Sequence, residues 1–576
     1  MRQTPAIAKP YRQAALAIGL FTFLTVFMTW PLAVQAGSSV IGWVGDNVYF
    51  VWLVGWFQKA LFELHRLPLS VPQLNYPEGW NLAYNEITAA MVLAALPASL
   101  VGGPVLGYNF SIFLSFVLSG LGVYLWVHRL TGNFTAGLIA GSIFAFAPYR
   151  LSHLVGHFNL MGTQWFAFYF LSLNDLLENR KPVGKLVVMA ALFLCLISLT
   201  SQYYLYMTLV LSLVYISGYW LLVDHRLVFR PGFWGRLAAM GLVSLPLVVI
   251  AILPYLLLNS QGVIPVRTLD DIRIWSASPT DFILPSPQHF LWGDKVHWSF
   301  DRRLWVENTL YLGGVSLALA GLALARRRPA ARLMAFTALI AFILALGTNL
   351  HWLGQPIIVD VPQFFQRWYH YQQTYIPLPN HFLFKFLPFY SGMRVWMRYG
   401  IFVMLFTSLL AGLGAAWLLE WLKPRWVAPA AAVILLLVMV DFYTGPVFLS
   451  PVSARRVDHW LASQPGQGVV AEYPLPLQGR SAQVYSTLSH GKPFLGTFFA
   501  AYTTPQFQRI APVLAGFPDK ESLELLRELG VEWVLVDSSR YENFLLMEGA
   551  IRSMGLRPVV VLDGHSVYHL PPAIKQ

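Results

Sequence analysis

The sequence predicts a mainly α-helical, polytopic membrane protein: a transmembrane helical bundle with a small extracytoplasmic α/β domain at its C-terminal end. Three observations predict this class. Of the 576 residues, 56% are hydrophobic and 11% are charged, whereas soluble domains contain roughly 25% charged residues. Apolar runs long enough to span a bilayer recur along the chain, with Lys and Arg clustered between them. After Pro451 the composition changes to short strand and helix patterns.

The distribution of charge excludes nucleic-acid binding, and the cysteine content excludes disulfide and cysteine-metal sites. The net charge is +12, but the basic residues follow the positive-inside pattern of membrane proteins, so we exclude nucleic-acid binding. The single cysteine, Cys195, lies in an apolar run, which excludes an intramolecular disulfide and a cysteine metal cluster. Arg2, Lys9 and Arg12 precede the first apolar run, which lacks a small-residue cleavage site, so we expect an anchor rather than a signal peptide.

The positions of the basic clusters predict eleven spans and an extracytoplasmic C-terminus. With the basic N-terminus in the cytoplasm, this number leaves the Lys and Arg clusters in alternate, inner loops. The long outer loops are then residues 36–107, 150–158, 259–307 and 349–398. The spans are at about 13–34, 108–127, 134–149, 159–177, 186–203, 204–223, 237–258, 308–325, 333–348, 399–419 and 427–446.

The first outer loop, residues 36–107, has three parts. Residues 47–64 predict an amphipathic helix rich in aromatic side chains, and residues 75–81 read NYPEGWN, a turn-rich sequence. The apolar run 87–100 is short for a span and contains Pro97, so we expect an interfacial or re-entrant segment.

Composition predicts two domains. Residues 1–450 form the transmembrane domain, and residues 451–576 form an extracytoplasmic α/β domain without a Gly-rich phosphate loop. In the second domain we predict strands at 468–475 and 531–537, helices at 520–530 and 541–554, and a hairpin at 557–570 that turns at Asp563 and Gly564.

Asp46 is the candidate catalytic residue, because it is a lone carboxylate where the chain leaves the first span. One interpretation is an ordinary helix cap, in which Asp46 accepts hydrogen bonds from free backbone N–H groups. The other is a general base at the membrane surface, within reach of a lipid-borne substrate. The two interpretations are compatible.

Two basic pairs are candidates for substrate binding. Arg394 and Arg398 are four residues apart, so on a helix they would share a face and could grip a phosphate; alternatively they mark the membrane interface. His153 and His157 have the same spacing. Without a carboxylate at fixed spacing, this second pair favours hydrogen bonds to a sugar or phosphate over a metal.

Four carboxylates of the outer loops are further candidates: Glu78, Glu86, Asp294 and Glu307. Each could be a second acid, a metal ligand or a solvated loop charge, and taken singly the solvated interpretation is favoured. Glu78 and Glu307 are the two that we include among the substrate-binding candidates. The chain has no GxSxG or Walker motif, which argues against serine hydrolases and ATPases.

Several short motifs resemble those of the GT-C superfamily of integral membrane glycosyltransferases, in particular an uncharacterised bacterial branch. In layout this branch is related to protein O-mannosyltransferases and the lipid A aminoarabinose transferase, and the superfamily also includes the oligosaccharyltransferases. The resemblance covers nearly the whole transmembrane part. The motifs are Gly45–Asp46, Tyr76–Gly79 (YPEG), Leu130–Leu160, Pro285–Gly293 (PSPQHFLWG), Glu307–Gly313 (ENTLYLG) and Ile376–Arg398.

The resemblance implies an inverting transfer of a sugar from a polyprenyl-phosphate donor on the outer face of the membrane. It assigns the role of base or metal ligand to Asp46, and phosphate contact to Arg394 or Arg398. Many members have an acidic pair where this chain has Asp46 followed by Asn47. This departure favours direct base catalysis over a tightly bound divalent metal, although Mg or Mn remains a candidate cofactor.

We therefore expect an enzyme of the bacterial cytoplasmic membrane, with its active site and C-terminal domain extracytoplasmic. The expected partners are a polyprenyl-phosphate-linked sugar, a glycan, lipid or protein acceptor, and membrane lipid. The alternatives are a lipid-linked glycan flippase or transporter, an O-antigen ligase or polymerase, and an assembly protein that keeps the fold without activity. A transporter is expected to carry polar residues inside its spans, and here the spans are almost free of charge, Asp441 being an exception near an outer end.

Overall fold

The computed structural model describes residues 8–262, 267–299, 304–364, 366, 372–387, 390–475, 481–498 and 503–571. The fold is mainly helical. The α-helices of the described residues are α1 (Ala8–Met28), α2 (Asp46–Gln58), α3 (Ala89–Thr131), α4 (Phe134–Ala145), α5 (Pro148–His153), α6 (Gln164–Leu177), α7 (Val183–Thr200), α8 (Gln202–Leu222), α9 (Phe233–Ser260), α10 (Leu269–Arg273), α11 (Gly293–Ser299), α12 (Trp305–Asn308), α13 (Gly314–Ala325), α14 (Pro329–Ala345), α15 (Pro379–Phe386), α16 (Gly400–Glu420), α17 (Pro424–Phe442), α18 (Arg456–Ser463), α19 (Ser481–His490), α20 (Pro505–Leu514), α21 (Lys520–Glu528) and α22 (Phe544–Ser553).

Eight helical segments in the described residues are long and apolar enough to cross a membrane. They correspond to eight of the eleven predicted spans. The other three predicted spans coincide with the shorter helices α6, α13 and α14. The polytopic helical class is confirmed, and the number of eleven spans stays a prediction. The eight segments are Tyr11–Met28, Ala89–Thr131, Phe134–His153, Val183–Thr200, Gln202–Leu222, Phe233–Ser260, Trp396–Glu420 and Pro424–Phe442.

Helix α3 is two helices that meet at a sharp reversal. Its backbone is non-helical at Gly102 and Gly103, and the φ of Gly103 is +86°, a conformation that glycine adopts without a Cβ penalty. The two halves then pack against each other in opposite directions. The Ser111 hydroxyl donates to the Met91 carbonyl at 2.8 Å, and a Cβ on Gly107 would lie 2.8 Å from the Ala95 carbonyl oxygen. The run 87–100 therefore folds back on the next helix, and its interfacial or re-entrant placement stays a prediction.

Helix α2 differs from the predicted amphipathic helix, because every residue from Asn47 to Phe57 is buried. Helix α3 supplies part of the covering surface, and the C-terminal region supplies another part. The Trp52 indole donates to the Thr487 hydroxyl of α19 at 3.1 Å, and the ring of Tyr49 stacks on that of Phe498 with centroids 4.4 Å apart. The predicted solvent face is thus an interface between chain segments more than 400 residues apart.

The C-terminal region contains the predicted α/β pattern. Its four-stranded sheet has the order β11 (Pro558–Leu562), β12 (His565–His569), β10 (Val531–Asp537) and β9 (Val469–Tyr473). Strands β9 and β10 are parallel, and the other neighbouring pairs are antiparallel. The predicted hairpin turns at Asp563 and Gly564, both with positive φ, as a two-residue hairpin turn requires. The strands are β1 (Ser39–Ile41), β2 (Ser70–Val71), β3 (Trp80–Asn81), β4 (His351–Trp352), β5 (Gln355–Pro356), β6 (Ile358–Asp360), β7 (Gln373–Tyr375), β8 (Leu449–Pro451), β9 (Val469–Tyr473), β10 (Val531–Asp537), β11 (Pro558–Leu562) and β12 (His565–His569).

Candidate functional site

The side chain of Asp46 does not cap the helix that it begins. The capping position is occupied by Gly45, which has no side chain to accept a hydrogen bond. The side chain of Asn47 makes the hydrogen bonds that hold this turn. The side-chain oxygen of Asn47 accepts from the backbone N–H groups of Gly45 and Val48 at 2.9 and 2.8 Å. The side-chain NH2 group of Asn47 donates to the backbone carbonyls of Ile41 and Trp43, both at 2.9 Å. Because Asn47 does this structural work, the Asp46 carboxylate is left without a hydrogen bond to any described residue.

Asp46 is half-buried beside the loop that follows α5. A Cβ on Gly156 would lie 3.4 Å from the Cβ of Asp46, so the aspartate adjoins the segment that carries both candidate histidines. Burial raises the pKa of the Asp46 carboxyl, and the positive charge of Arg398 offsets part of that rise. Asp46 and Arg398 are thus coupled electrostatically, without a hydrogen bond or ion pair between these two described side chains.

Arg398 is committed to a buried ion pair with Glu307. Its Nη2 and Nε donate to Oε1 of Glu307 at 2.6 and 3.1 Å, and the two side chains are 10% and 6% exposed. On its other oxygen Glu307 is 3.3 Å from Nε2 of His153. Burial alone would raise the pKa of Glu307, but Arg398 and His153 outweigh it and hold that pKa well below its ordinary value. Glu307 is thus an ionised, fully partnered anion rather than a solvated loop charge.

Arg394 and Arg398, which would share a face on a helix, do not lie together on an α-helix. The N–H groups of Trp396 and Met397 both donate to the Trp275 carbonyl, at 3.2 and 3.3 Å. These groups are therefore not available for an α-helix, which begins only at Gly400. A tight turn of 3-10 type precedes it.

The two arginines nevertheless flank one aromatic ring, that of Tyr203. The backbone N–H of Arg394 donates to the Tyr203 hydroxyl at 3.2 Å, and the Arg398 guanidinium lies 5.1 Å from the centre of its ring. The Arg394 guanidinium lies 4.7 Å from the ring of Trp275. The buried Nε of Arg394 has no hydrogen-bond partner among the described residues, whereas the Nε of Arg398 donates to Glu307.

Glu86 belongs with this cluster, which corrects its interpretation as a solvated charge. Its side chain is half-buried. Its carboxylate oxygens accept from the side-chain amide of Asn159 and from the Ser201 hydroxyl, the latter at 2.8 Å. Burial raises the pKa of Glu86, and these bonds together with the charge of Arg398 oppose the rise. One sequence signal could have found it: Glu86 directly precedes the apolar run that folds back into the protein.

His153, His157 and Glu307 offer ligand atoms within 4.8 Å of one another. Burial and His153 lower the pKa of His157 to about 3, so His157 is neutral. Two imidazoles and one carboxylate do not match the all-oxygen shells preferred by Mg and Mn. Arg398 and His153 already engage both oxygens of Glu307. This set does not fit the predicted Mg or Mn.

Glu78, the remaining candidate, faces the C-terminal region. Its carboxylate accepts from the exposed Arg509 of α20 at 3.1 Å, and its backbone N–H donates to the Gln506 side chain at 3.3 Å. The side chain is 49% exposed. These contacts attach the first outer loop to the C-terminal region and give Glu78 no described contact with Asp46, Arg398 or Glu307.

The fold is shared with membrane glycosyltransferases of known structure. Over 98% of its length the chain superposes on the arabinofuranosyltransferase AftD from Mycobacteria, with 17% identity and a TM-score of 0.58, and spans 40% of that chain. It also superposes on the oligosaccharyltransferase AglB from Archaeoglobus fulgidus over 92% of its own length and 70% of the other, with 12% identity and a TM-score of 0.51. No family model and no curated protein sequence matches the chain. These likenesses confirm the predicted GT-C fold.

Proposed function

We propose that this GT-C-fold protein is an inverting glycosyltransferase that moves a sugar from a polyprenyl-phosphate donor to the hydroxyl of an extracytoplasmic acceptor. The observation that carries the proposal is the state of Asp46. On a glycosyltransferase fold, its carboxylate lies half-buried in the cluster with Arg398, and no described residue uses it for capping or ion pairing. A free carboxylate whose pKa is raised by burial is suited to accept a proton.

In the proposed reaction Asp46 takes the proton of the acceptor hydroxyl. The acceptor oxygen forms a bond to the anomeric carbon from one side, while the bond from that carbon to the phosphate oxygen breaks on the other. The configuration at the carbon therefore inverts. The lipid phosphate leaves with the bonding electron pair, and a nearby cation stabilises the negative charge that develops on it.

The two arginines have different parts in this proposal. Arg394 contacts the phosphate, because its buried Nε is a donor without a described partner and guanidinium groups match phosphate geometry. Arg398 remains paired with Glu307 and acts at a distance: its charge lowers the pKa of Asp46 and so opposes the rise that burial causes. Arg398 is thus a positioning and tuning residue rather than the phosphate ligand.

The polyprenyl-phosphate donor rests on the resemblance and on chemistry at a membrane surface. AglB, which shares this fold, has been observed in complex with a dolichol-phosphate, a lipid phosphate of the proposed class. We infer that the C-terminal region contributes to the choice of acceptor, because its Phe498 stacks on Tyr49 of α2, the helix that Asp46 begins.

The test compares purified wild type, Asp46→Asn and Glu78→Gln in proteoliposomes. Polyprenyl-phosphate hexoses and pentoses are supplied singly with a cell-envelope extract as acceptor, in buffer with and without EDTA. Loss of a general base costs about 10²–10⁴-fold in rate, so Asp46→Asn should lose transfer and still bind the donor. Glu78→Gln should retain transfer because Glu78 faces Arg509.

EDTA should leave the wild-type rate unchanged, since Glu307 is held by Arg398. Undiminished turnover of Asp46→Asn would refute the assignment of the base, and no transfer by the wild type from any of the donors would refute the proposed function.

A further inference from the structure

A cleft outside the candidate site lies between the ends of two predicted spans, α13 and α17, under the turn formed by residues 285–293. Its volume is about 360 Å³. The cleft is at the N-terminal end of α13 and the C-terminal end of α17, opposite the ends that carry Arg326–Arg328 and Lys423 with Arg425. It therefore opens on the predicted outer side of the membrane. The lining residues are His289, Leu291, Trp292, Gly314, Val315, Leu437, Val440 and Asp441.

Asp441 is the acidic residue that lines this cleft, and it is a charged residue within a predicted span, where charges are rare. It is half-buried, and its carboxylate accepts from the Tyr311 hydroxyl at 2.8 Å and from the N–H of Val315 at 3.4 Å. Both donors are neutral, and no ion pair of Asp441 is found in the part of the chain that the structure describes. A carboxylate at the end of a membrane helix without a counter-charge is costly, so a cation from outside the protein would stabilise it.

His289 does not supply that cation. Its Nδ1 accepts from the N–H groups of Leu291 and Trp292 at 3.1 and 3.3 Å, so that nitrogen carries no proton. Burial lowers the pKa of His289, although Asp441 acts in the opposite direction. The neutral imidazole instead holds the turn against the end of α17, where the N–H of Phe290 also donates to the Tyr443 carbonyl at 3.2 Å.

The rest of the cleft has the character of a lipid surface. Leu291 and Trp292 are 53% and 50% exposed, and Trp is the residue that membrane interfaces favour. Val440 and Leu437 continue the apolar surface along α17. The Lys295 ammonium lies 5.0 Å from the centre of the Trp292 ring, so a positive group lies beside one of the lining side chains.

We propose that this cleft binds a phospholipid whose headgroup ends in a primary ammonium, as in phosphatidylethanolamine. The ammonium donates to Asp441, the phosphate meets Lys295, and one acyl chain lies along Val315, Leu437 and Val440. A quaternary ammonium has no N–H to donate, and an anionic glycerol headgroup would be repelled by Asp441. The site thus distinguishes the ethanolamine headgroup from choline and glycerol headgroups, and it does not depend on the proposed glycosyl transfer.

The experiment is native mass spectrometry of the intact protein in detergent with added phosphatidylethanolamine, phosphatidylcholine or phosphatidylglycerol. Under collisional activation, wild type should retain one more molecule of phosphatidylethanolamine than of phosphatidylcholine or phosphatidylglycerol. Asp441→Asn should bind that lipid roughly tenfold more weakly, about 1.4 kcal/mol, because the ammonium loses its charged acceptor. Asp360→Asn, at an exposed acid of β6, is the matched control and should behave as wild type.

A second variant keeps the proposal falsifiable if Asp441→Asn disturbs the fold. Leu437→Trp fills the cleft from the exposed surface of α17 and leaves the bonds of Asp441 in place. It should lose the retained ethanolamine lipid as well. Equal retention of the three lipids by wild type, or wild-type retention of phosphatidylethanolamine by Leu437→Trp, would overturn the proposal.

Discussion

The buried pair between Arg398 and Glu307 gives a prediction whose size follows from the contacts. Two short bonds join the guanidinium to Oε1 of Glu307, and both side chains are at most 10% exposed. Removing one partner of such a pair leaves a buried charge, which costs about 3–5 kcal/mol. The contact with His153 makes the two single substitutions unequal.

Glu307→Gln should be the more damaging change, at about 5 kcal/mol of unfolding free energy, because it removes the anion that faces both Arg398 and His153. Arg398→Gln should cost about 3 kcal/mol, because Glu307 keeps its contact with His153. The double variant leaves neither charge unpaired, so we expect it to lie within about 2 kcal/mol of wild type.

The assay is unfolding by sodium dodecyl sulfate in mixed micelles, followed by tryptophan fluorescence, for which the 21 tryptophans give signal. The four proteins form a double-mutant cycle, and the costs expected above imply a coupling energy of about 6 kcal/mol. Strictly additive substitutions, or single costs below about 1 kcal/mol, would refute the view that this pair organises the site.

Two further predictions concern the first outer loop. Because burial raises the pKa of Asp46 above its ordinary 3.8, and the base acts ionised, transfer should fall as the pH drops through a midpoint above 3.8; a midpoint at or below 3.8 in the pH profile of kcat contradicts this. Asn47→Asp would place a carboxylate against the carbonyls of Ile41 and Trp43 in place of an amide donor. It should cost about 3 kcal/mol in the same unfolding assay, and a stability equal to wild type would contradict this.

Much of the fold could be predicted from the sequence, because its signals are local. A run of apolar residues must be helical in a bilayer, since every backbone group needs an internal partner there. The pattern of the C-terminal region predicted its strands β9 and β10, its helices α21 and α22, and the turn at Asp563 and Gly564. The short apolar run with Pro97 forms the first half of α3, and its interfacial or re-entrant placement stays a prediction.

The predictions that failed depend on partners distant in the chain. The face of α2 that patterning places in water is covered by α19 and Phe498, and periodicity carries no information about a cover more than 400 residues away. Arg394 and Arg398 would share a face only on a helix, and the Trp275 carbonyl takes the N–H groups that an α-helix would need there. Glu86 is an outer-loop acid in the sequence and a half-buried one in the fold.

The sequence by itself determined the membrane class, the helices and Asp46 as the candidate base, because hydropathy and residue chemistry are properties of each segment alone. Only the tertiary structure decided how the charges pair. Folding gave Glu307 to Arg398, left Arg394 with a free donor and assigned the bracing of the turn to Asn47. The physical reason is that a charge acts according to its burial and its partners, and both are set by segments that meet only when the chain is folded.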